Sequence, residues 1–545
     1  PHILYTKTTL NPKKKMTTKT ENLWVFALAT KCNFFNPINS MLFALILSFV
    51  WFIINMIYWT HPGGPAWGKY NKLTKYLFVK NPIPGPKGFP FIGSMYMMTG
   101  LAHQKIANMA EFFKAKRLMS FSLGETRFIV TCNHVVAKEV LNSTTFVARP
   151  INESAYGLMF DRAIGFAPYG VYWRTLRKIA STHMFCPKQI KASEVQRFEI
   201  AKQMVAIFNG SEGLRVRDVV KKASLNNMMC SVFGRKYSLV DYFNDEMEEV
   251  SELVNEGYDL LGILNWSDHL PWLAEFDPQK IKYRCEHLVP KVNRLVGRII
   301  DEHRAQPSNV HRDFVDVLLS LQGMEALSDS DMIAVLWEMI FRGNDTVAIL
   351  IEWILARMVL HPDVQSKVQE EVDMITERSR PVMESDVTNM VYLQSVVNEV
   401  LRLHPPGPLL AWARLAIEDT TVDGYHVPAG TTAMVNMWAI TRSEEVWNEP
   451  LEFKPERFMN HTESVIFSVL GSDLRLAPFG SGRRSCPGKT LGLITVTFWV
   501  ASLLQEFEFG TTDGSKTVDL SEVLRFSCEM KTPLMVKVQP RNLIN

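Results

Sequence analysis

The sequence predicts a mainly α-helical protein with a minor β-sheet, preceded by one N-terminal transmembrane helix. Three observations carry this. Long stretches such as Asp331 to Leu360 and Asp386 to Leu403 read as helices, with apolar residues at helical spacing. Short runs such as FSLGETRFIVTC and GYHVPAGTTAMVNMW alternate between turn signals and suggest strands. Met41 to Trp59 reads MLFALILSFVWFIINMIYW, without a charge and with only Ser48 and Asn55 clearly polar.

The chain opens with Pro1, and its first Met is Met16. Residues 1 to 15 carry four Lys and no acid, and are expected to be upstream read-through or part of a fragment, outside the fold. Without those Lys the net charge falls from +3 to −1, and neither value points to nucleic acid. Residues 16 to 40 form an N-terminal lead. Residues 41 to 59 supply about the ~20 residues that a helix needs to cross a bilayer core. A signal peptide would be shorter and end in a small-residue cleavage site, which the following HPGGPAWG is not. Lys19 and Lys31 precede the span; Lys69, Lys72, Lys75 and Lys80 follow it. The positive-inside rule then puts the main body in the cytosol. Residues 60 to 90 form a Pro/Gly-rich linker, where Pro82, Pro84, Pro86 and Pro90 restrict the backbone into a semi-rigid spacer.

Residues 91 to 545 read as one large folded unit, with neither an internal linker nor a repeat of solenoid period. The seven Cys (32, 132, 186, 230, 285, 486 and 528) are odd in number, widely spaced and free of any CxxC, which excludes a disulfide framework or zinc ribbon. Six are expected to be inert thiols. LSDSD offers N-caps for the helix at Asp331, which should stop at His361-Pro362. HPPGP should end the helix at Leu403, and a final helix is expected from about Pro487 to Phe507.

The seventh Cys lies in FGSGRRSCPG, Phe479 to Gly488. A thiolate on haem iron pushes electron density toward bound dioxygen and favours O–O cleavage. Such a sulfur needs backbone wrapped around it that donates N–H groups, so that it stays deprotonated. Gly480, Gly482 and Gly488 permit that turn, and Pro487 suits the first position of the next helix. That helix would point its positive end at the sulfur. Phe479 would shield Cys486, and Arg484 could reach a haem propionate.

At this point the chain resembles the cytochrome P450 superfamily, whose signature F-x-x-G-x-R-x-C-x-G is met at Phe479, Gly482, Arg484, Cys486 and Gly488. The resemblance implies haem b with Cys486 as the metal ligand, on a cytochrome P450 fold. Four E-x-x-R pairs occur: Glu194/Arg197, Glu377/Arg380, Glu399/Arg402 and Glu522/Arg525. The family's order selects Glu399 and Arg402, with Arg457 of PERF joining them in a buried structural network. The resemblance also implies propionate contacts from Trp173 and Arg177 of WRTLRK, and from Arg414.

In FRGNDTVA, Gly343, Asp345 and Thr346 match the family's oxygen-activating segment. Gly would thin the helix for dioxygen, Thr346 would open a local groove, and Asp345 with Thr346 would relay protons. Arg342 departs from the pattern, standing where Ala or Gly is usual. It reads either as an i,i+4 partner of Glu338 or as a pocket cation for an acidic substrate such as a fatty acid. By resemblance the pocket wall draws on Tyr156 to Phe166, Phe341, Leu410, Trp412 and Phe526.

HPGGPAWG, WEMIFRG-x-DTVA and GSDLRLAPFG look like the plant microsomal, KLUH-like subfamily. This implies a single-pass endoplasmic-reticulum monooxygenase, with fatty-acid hydroxylation linked to organ or seed growth. NADPH–cytochrome P450 reductase would be the electron donor, membrane lipid the anchor's surroundings, and a small apolar or fatty-acid-like molecule the substrate. Lys178, Arg483 and Lys489 read equally as a reductase-docking face or as solvated charges. The rival readings are a haem-thiolate isomerase or dehydratase, and a non-catalytic haem-binding membrane protein. The pair Asp345 and Thr346 argues against both.

Overall fold

The computed structural model describes residues 37–73, 81–209, 213–240, 245–306, 313–410, 413–459, 469–471, 473–512 and 517–541. Residues 1–15, most of the 16–40 lead, Cys32, Lys75, Lys80 and Trp412 lie outside the described residues. The chain forms two units, 1–57 and 58–545. Seven helices are named here: α1 (Pro37–Trp59), and in the second unit α2 (Val171–His183), α3 (Val216–Phe233), α4 (Asp245–Gly262), α5 (Asp329–Leu360), α6 (Val391–Leu403) and α7 (Lys489–Glu506).

Helix α1 covers the predicted span and is long and apolar enough to cross a membrane. Its two polar side chains bond within the helix, Ser48 Oγ to the Ala44 carbonyl and Asn55 Nδ2 to the Trp51 carbonyl, both at 2.8 Å. Each side chain thus places a donor on the helix's own backbone, as an apolar surrounding favours. Further on, residues on both sides of 74–80 pack on the folded body: Trp67 and Ile83 are buried, and Trp67 Nε1 donates to the Phe121 carbonyl.

Helix α5 organises that body. Ser328 caps it, with its Oγ accepting the Asp331 N–H, so the helix starts two residues before the predicted Asp331. It ends before Pro362 as predicted, because that ring blocks helical geometry at His361. The half from Met332 to Phe341 belongs to one hydrophobic core with α2, α3 and α4. The half from Ala348 to Val359 belongs to a second core with α6 and α7. Trp337, Trp353 and Trp499 are completely buried in these cores, where a large apolar side chain contributes roughly 1.5–3 kcal/mol. Residues 342–346 belong to neither core, and there the interior opens.

Two more predicted helix starts shift, one of them for a tertiary reason. The segment from Asp386 makes one 3-10 turn, Asp386–Asn389, before α6 begins at Val391. Glu371 caps α6 from another helix, accepting the N–H groups of Tyr392 and Leu393 at 2.7 and 2.9 Å. Helix α7 begins at Lys489 with Gly488 as its N-cap residue, so Pro487 precedes the helix rather than opening it.

GYHVPAGTTAMVNMW does make two strands, but in different sheets. Tyr425–Val427 forms a hairpin with Thr420–Val422 around Asp423 and Gly424, both at positive φ as such a turn requires. Thr432–Val435 joins the main sheet, parallel to Thr126–Thr131 and antiparallel to Arg414–Leu415.

Of the four E-x-x-R pairs, Glu399 and Arg402 alone meet as a pair. Arg402 binds Glu399 through Nε and Nη2 at 2.7 and 2.8 Å, and both residues are fully buried. Arg457 Nε adds a third contact at 3.1 Å, and the remaining guanidinium donors go to loop carbonyls. In the other pairs, Arg197 turns to Glu384, Arg380 to Asp386, and Glu522 to His103.

Candidate functional site: a thiol, a long helix and five arginines

The loop before α7 is built by its glycines. Gly480 and Gly482 hold φ of +68° and +70°, a region that disfavours side chains. At Gly482 a Cβ would also lie 2.2 Å from the Leu141 carbonyl oxygen. The Cys486 N–H closes the loop onto the Phe479 carbonyl at 2.9 Å. Burial pushes the Cys486 thiol above its ordinary pKa; Arg342 and an N–H from Gly488 oppose that push.

Cys486 faces a cavity in which the centres of water molecules can range over about 260 Å³; a single water needs only ~10–15 Å³ on that measure. Another part of the wall is one stripe of α5, namely Met339, Arg342, Gly343, Thr346, Val347 and Leu350. Their i, i+3, i+4, i+7 spacing puts them on one helical face. Thr346 is exposed in the middle of an otherwise buried helix because it looks into this space, while its neighbour Asp345 is buried on the other side. Gly343 does more than thin the helix: a Cβ there would lie 2.4 Å from the Met228 thioether of α3.

Five arginines line the cavity among the described residues: Arg149, Arg177, Arg342, Arg414 and Arg484. Glu338 is the single carboxylate beside them. Arg484 donates to the Val147, Ile164 and Ala167 carbonyls at 3.1, 3.1 and 2.7 Å, and lies 4.4 Å over the Trp173 ring. Trp173 lines the cavity and gives its own N–H to the Ile164 carbonyl, which also accepts from Arg484. Arg414 reaches the Ser481 carbonyl at 3.3 Å. Burial and mutual repulsion pull Arg414 and Arg484 down to about 10, and push Arg149 down as well. Crowded, desolvated guanidiniums of this kind call for anions.

Arg342 makes the predicted i,i+4 contact with Glu338, at 3.5 Å, and also borders the cavity. Glu338 is buried, accepts the Gly165 N–H at 2.7 Å, and burial raises its pKa against the pull of Arg342. Leu410 and Phe526 line the wall as expected, whereas only Ile164 and Gly165 of the Tyr156–Phe166 segment do. Phe341 is a correction. It is fully buried in an aromatic cluster with Phe160, Tyr258 and Trp337, because one residue before Arg342 it falls off the cavity stripe. Arg149 was not foreseen. A lone Arg before Pro150 reads as a surface charge, and only the tertiary fold brings it beside Arg414 and Arg484.

A haem suits this donor set: a thiol for the iron, apolar helix faces for the macrocycle and guanidiniums for two propionates. A thiol, one face of a long helix and five guanidiniums around a single cavity fit the class of haem-thiolate proteins. The cytochrome P450 family model matches residues 83–534. Cytochrome P450 78A3 of Glycine max is 64% identical over 523 residues, covering 96% of this chain and 98% of the relative. Cytochrome P450 78A9 of Arabidopsis thaliana is 64% identical over 525 residues, covering 95% and 97%. The flavonoid 3'-monooxygenase of Arabidopsis thaliana is 33% identical over 474 residues, covering 84% and 91%. The chain belongs to the cytochrome P450 family, within the KLUH-like 78A group, and is a haem-dependent monooxygenase.

Proposed function

We propose that Cys486 would hold the iron of haem b in this cavity through its thiolate, and that Asp345 and Thr346 would deliver protons to the oxygen chemistry there. The observation that carries the proposal is that Cys486 and Thr346 line one cavity. When bound, the haem supplies oxygen activation through its thiolate-ligated iron. Arg149, Arg177, Arg414 and Arg484 would hold the propionates, and Phe479 would shield the sulfur from water. Thr346 would hold a hydroxyl toward the reacting oxygen and pass on protons taken up by Asp345. The network of Glu399, Arg402 and Arg457 keeps the fold rigid around the site.

The reaction proposed is insertion of one oxygen atom from O2 into an apolar C–H bond, with electrons from NADPH through NADPH–cytochrome P450 reductase. The substrate class proposed is a small apolar or fatty-acid-like molecule, with a growth-linked role in the plant. Localisation is proposed at the endoplasmic-reticulum membrane, single-pass, with the catalytic domain in the cytosol and residues 91–545 as its core. Lys178, Arg483 and Lys489 are offered as part of the reductase-docking face; Lys178 is ion-paired to Glu325 at 2.7 Å, so that bridge would have to exchange on docking. The test is reductase-dependent NADPH consumption with haem-loaded protein and lipid extract. A hydroxylated product formed in proportion to NADPH supports the proposal. Reduction without product across every lipid fraction overturns it.

A further inference from the structure

Four of the cavity's five arginines suffice for two propionates, since one guanidinium can grip a carboxylate with two parallel bonds. Arg149, Arg414 and Arg484 come from outside α5 and are tied to backbone carbonyls; Arg149 donates to Gly165 at 3.2 Å and to Ala413 at 3.1 Å. Arg342 differs in place and in partner. It stands on the cavity stripe of α5 one turn before Thr346, a rise of about 6 Å along the helix. Its side chain keeps 35% of its surface accessible, whereas Glu338, the carboxylate beside it, keeps only 3%.

The bond between the two is loose. Arg342 Nη1 lies 3.5 Å from Glu338 Oε1, whereas pairs of ionised groups close to about 2.7–2.9 Å. That same Oε1 accepts the Gly165 N–H at 2.7 Å, and the Ile164 N–H also favours the carboxylate. Glu338 therefore has a backbone seat that does not depend on Arg342. Arg149 and Arg484 face Glu338 as well, and propionates would take up their charge. Burial raises the Glu338 pKa, and Arg342 is the first of the groups that lower it. With Arg342 turned away, the Glu338 carboxyl is poised to take a proton. A pair that served only to steady α5 would need neither a buried acid nor a place on the cavity, since exposed i,i+4 pairs do as much.

We propose that Arg342 is the head-group receptor for a substrate bearing a carboxylate, and that the incoming carboxylate displaces Glu338 from it while Glu338 takes up a proton. This rests on the reading of the cavity as the site for a fatty-acid-like molecule. Arg342 stays protonated throughout and exchanges one carboxylate for another. A proton from solvent adds to a Glu338 oxygen and forms its O–H bond; no other covalent bond forms or breaks, and no electrons move. The cavity takes in one anion and one proton, so its net charge is unchanged and no buried charge is left uncompensated. Met339, Val347, Leu350 and Phe526 line the same space and suit a hydrocarbon tail. An uncharged ester would leave the Arg342–Glu338 pair as it is.

The test is calorimetric titration of the haem-loaded enzyme with dodecanoate and with methyl dodecanoate, near neutral pH. Repeating it in buffers of different ionisation enthalpy counts the protons taken up. Wild type should take up about one proton per dodecanoate and none per ester. Arg342→Met should weaken dodecanoate roughly ten- to a hundredfold and leave the ester unchanged; Arg342→Lys should keep a preference for the acid. Glu338→Gln, whose amide oxygen still accepts the Gly165 N–H, should bind dodecanoate at least as tightly as wild type without taking up a proton. An intact thiolate carbon-monoxide band qualifies each variant as folded. Acid and ester weakened equally by Arg342→Met, both left unchanged by it, or proton uptake that persists in Glu338→Gln overturns the exchange. If haem-loaded wild type binds neither acid nor ester, it is the reading of a fatty-acid-like substrate that fails, and the exchange with it.

Discussion

Replacing Glu399 by Gln tests the buried charge network with little change of shape. Its carboxylate takes four donors: Arg402 Nε and Nη2, Arg457 Nε and the Lys454 N–H. Glutamine keeps one carbonyl oxygen and turns an NH2 group toward guanidiniums that are themselves only donors. Arg402, fully buried, is then left as an uncompensated charge held by carbonyls alone. Breaking a buried pair in this way costs about 3–5 kcal/mol. That is roughly a hundred- to several-thousand-fold in the ratio of folded to unfolded protein. The assay is a urea titration followed by tryptophan fluorescence, with Glu377→Gln as control. Glu377 is exposed and Arg380 pairs elsewhere, so that variant should stay within about 0.5 kcal/mol of wild type. A Glu399→Gln protein within 1 kcal/mol of wild type would refute the reasoning.

Arg149→Met removes a cation from the cavity wall while keeping an apolar stem. Haem transfer to apomyoglobin should be on the order of tenfold faster than from wild type, since charged hydrogen bonds contribute ~1.5–3 kcal/mol each; an unchanged rate would remove Arg149 from the haem site. His404 accepts a bond from Arg357 Nη2 at 2.8 Å, and burial, with Arg357 and Arg442 adding to it, pushes its pKa down to about 4. An unfolded His protonates near 6.5. Its contribution to stability is therefore complete above about pH 6.5 and is lost as pH falls toward 4. His404→Gln should show a shallower loss of stability than wild type between pH 6.5 and 4 by urea midpoints; an identical slope would contradict the assignment.

Elements with a local cause were legible in the sequence. The long apolar helix α1, the Pro362 stop of α5 and the turning glycines of the Cys loop each follow from a residue and its near neighbours. Starts set by distant groups were not legible. Glu371 caps α6 from another helix, and no pattern around Val391 announces it. The same division runs through the site. Cys486, Thr346 and Arg342 stand at spacings that place them on the cavity, whereas Arg149 reaches it only through the path of its loop. Phe341 was misplaced because a segment match does not specify which face of the helix a residue takes; one step of 100° separates core from cavity. Asp345 was legible as an acid beside Thr346, but the separate polar cavity it borders was not. That space is assembled from α3, α4 and a hairpin nearly two hundred residues further on.

The most direct test of the account is the identity of the iron ligand. Haem-loaded protein with Cys486 replaced by His, reduced under carbon monoxide, should lose the red-shifted absorption band of a thiolate-ligated haem. Cys132→Ser, at another described unpaired cysteine, should keep it. A Cys486→His protein that retained the band would contradict the assignment of the thiol on which the whole site is built.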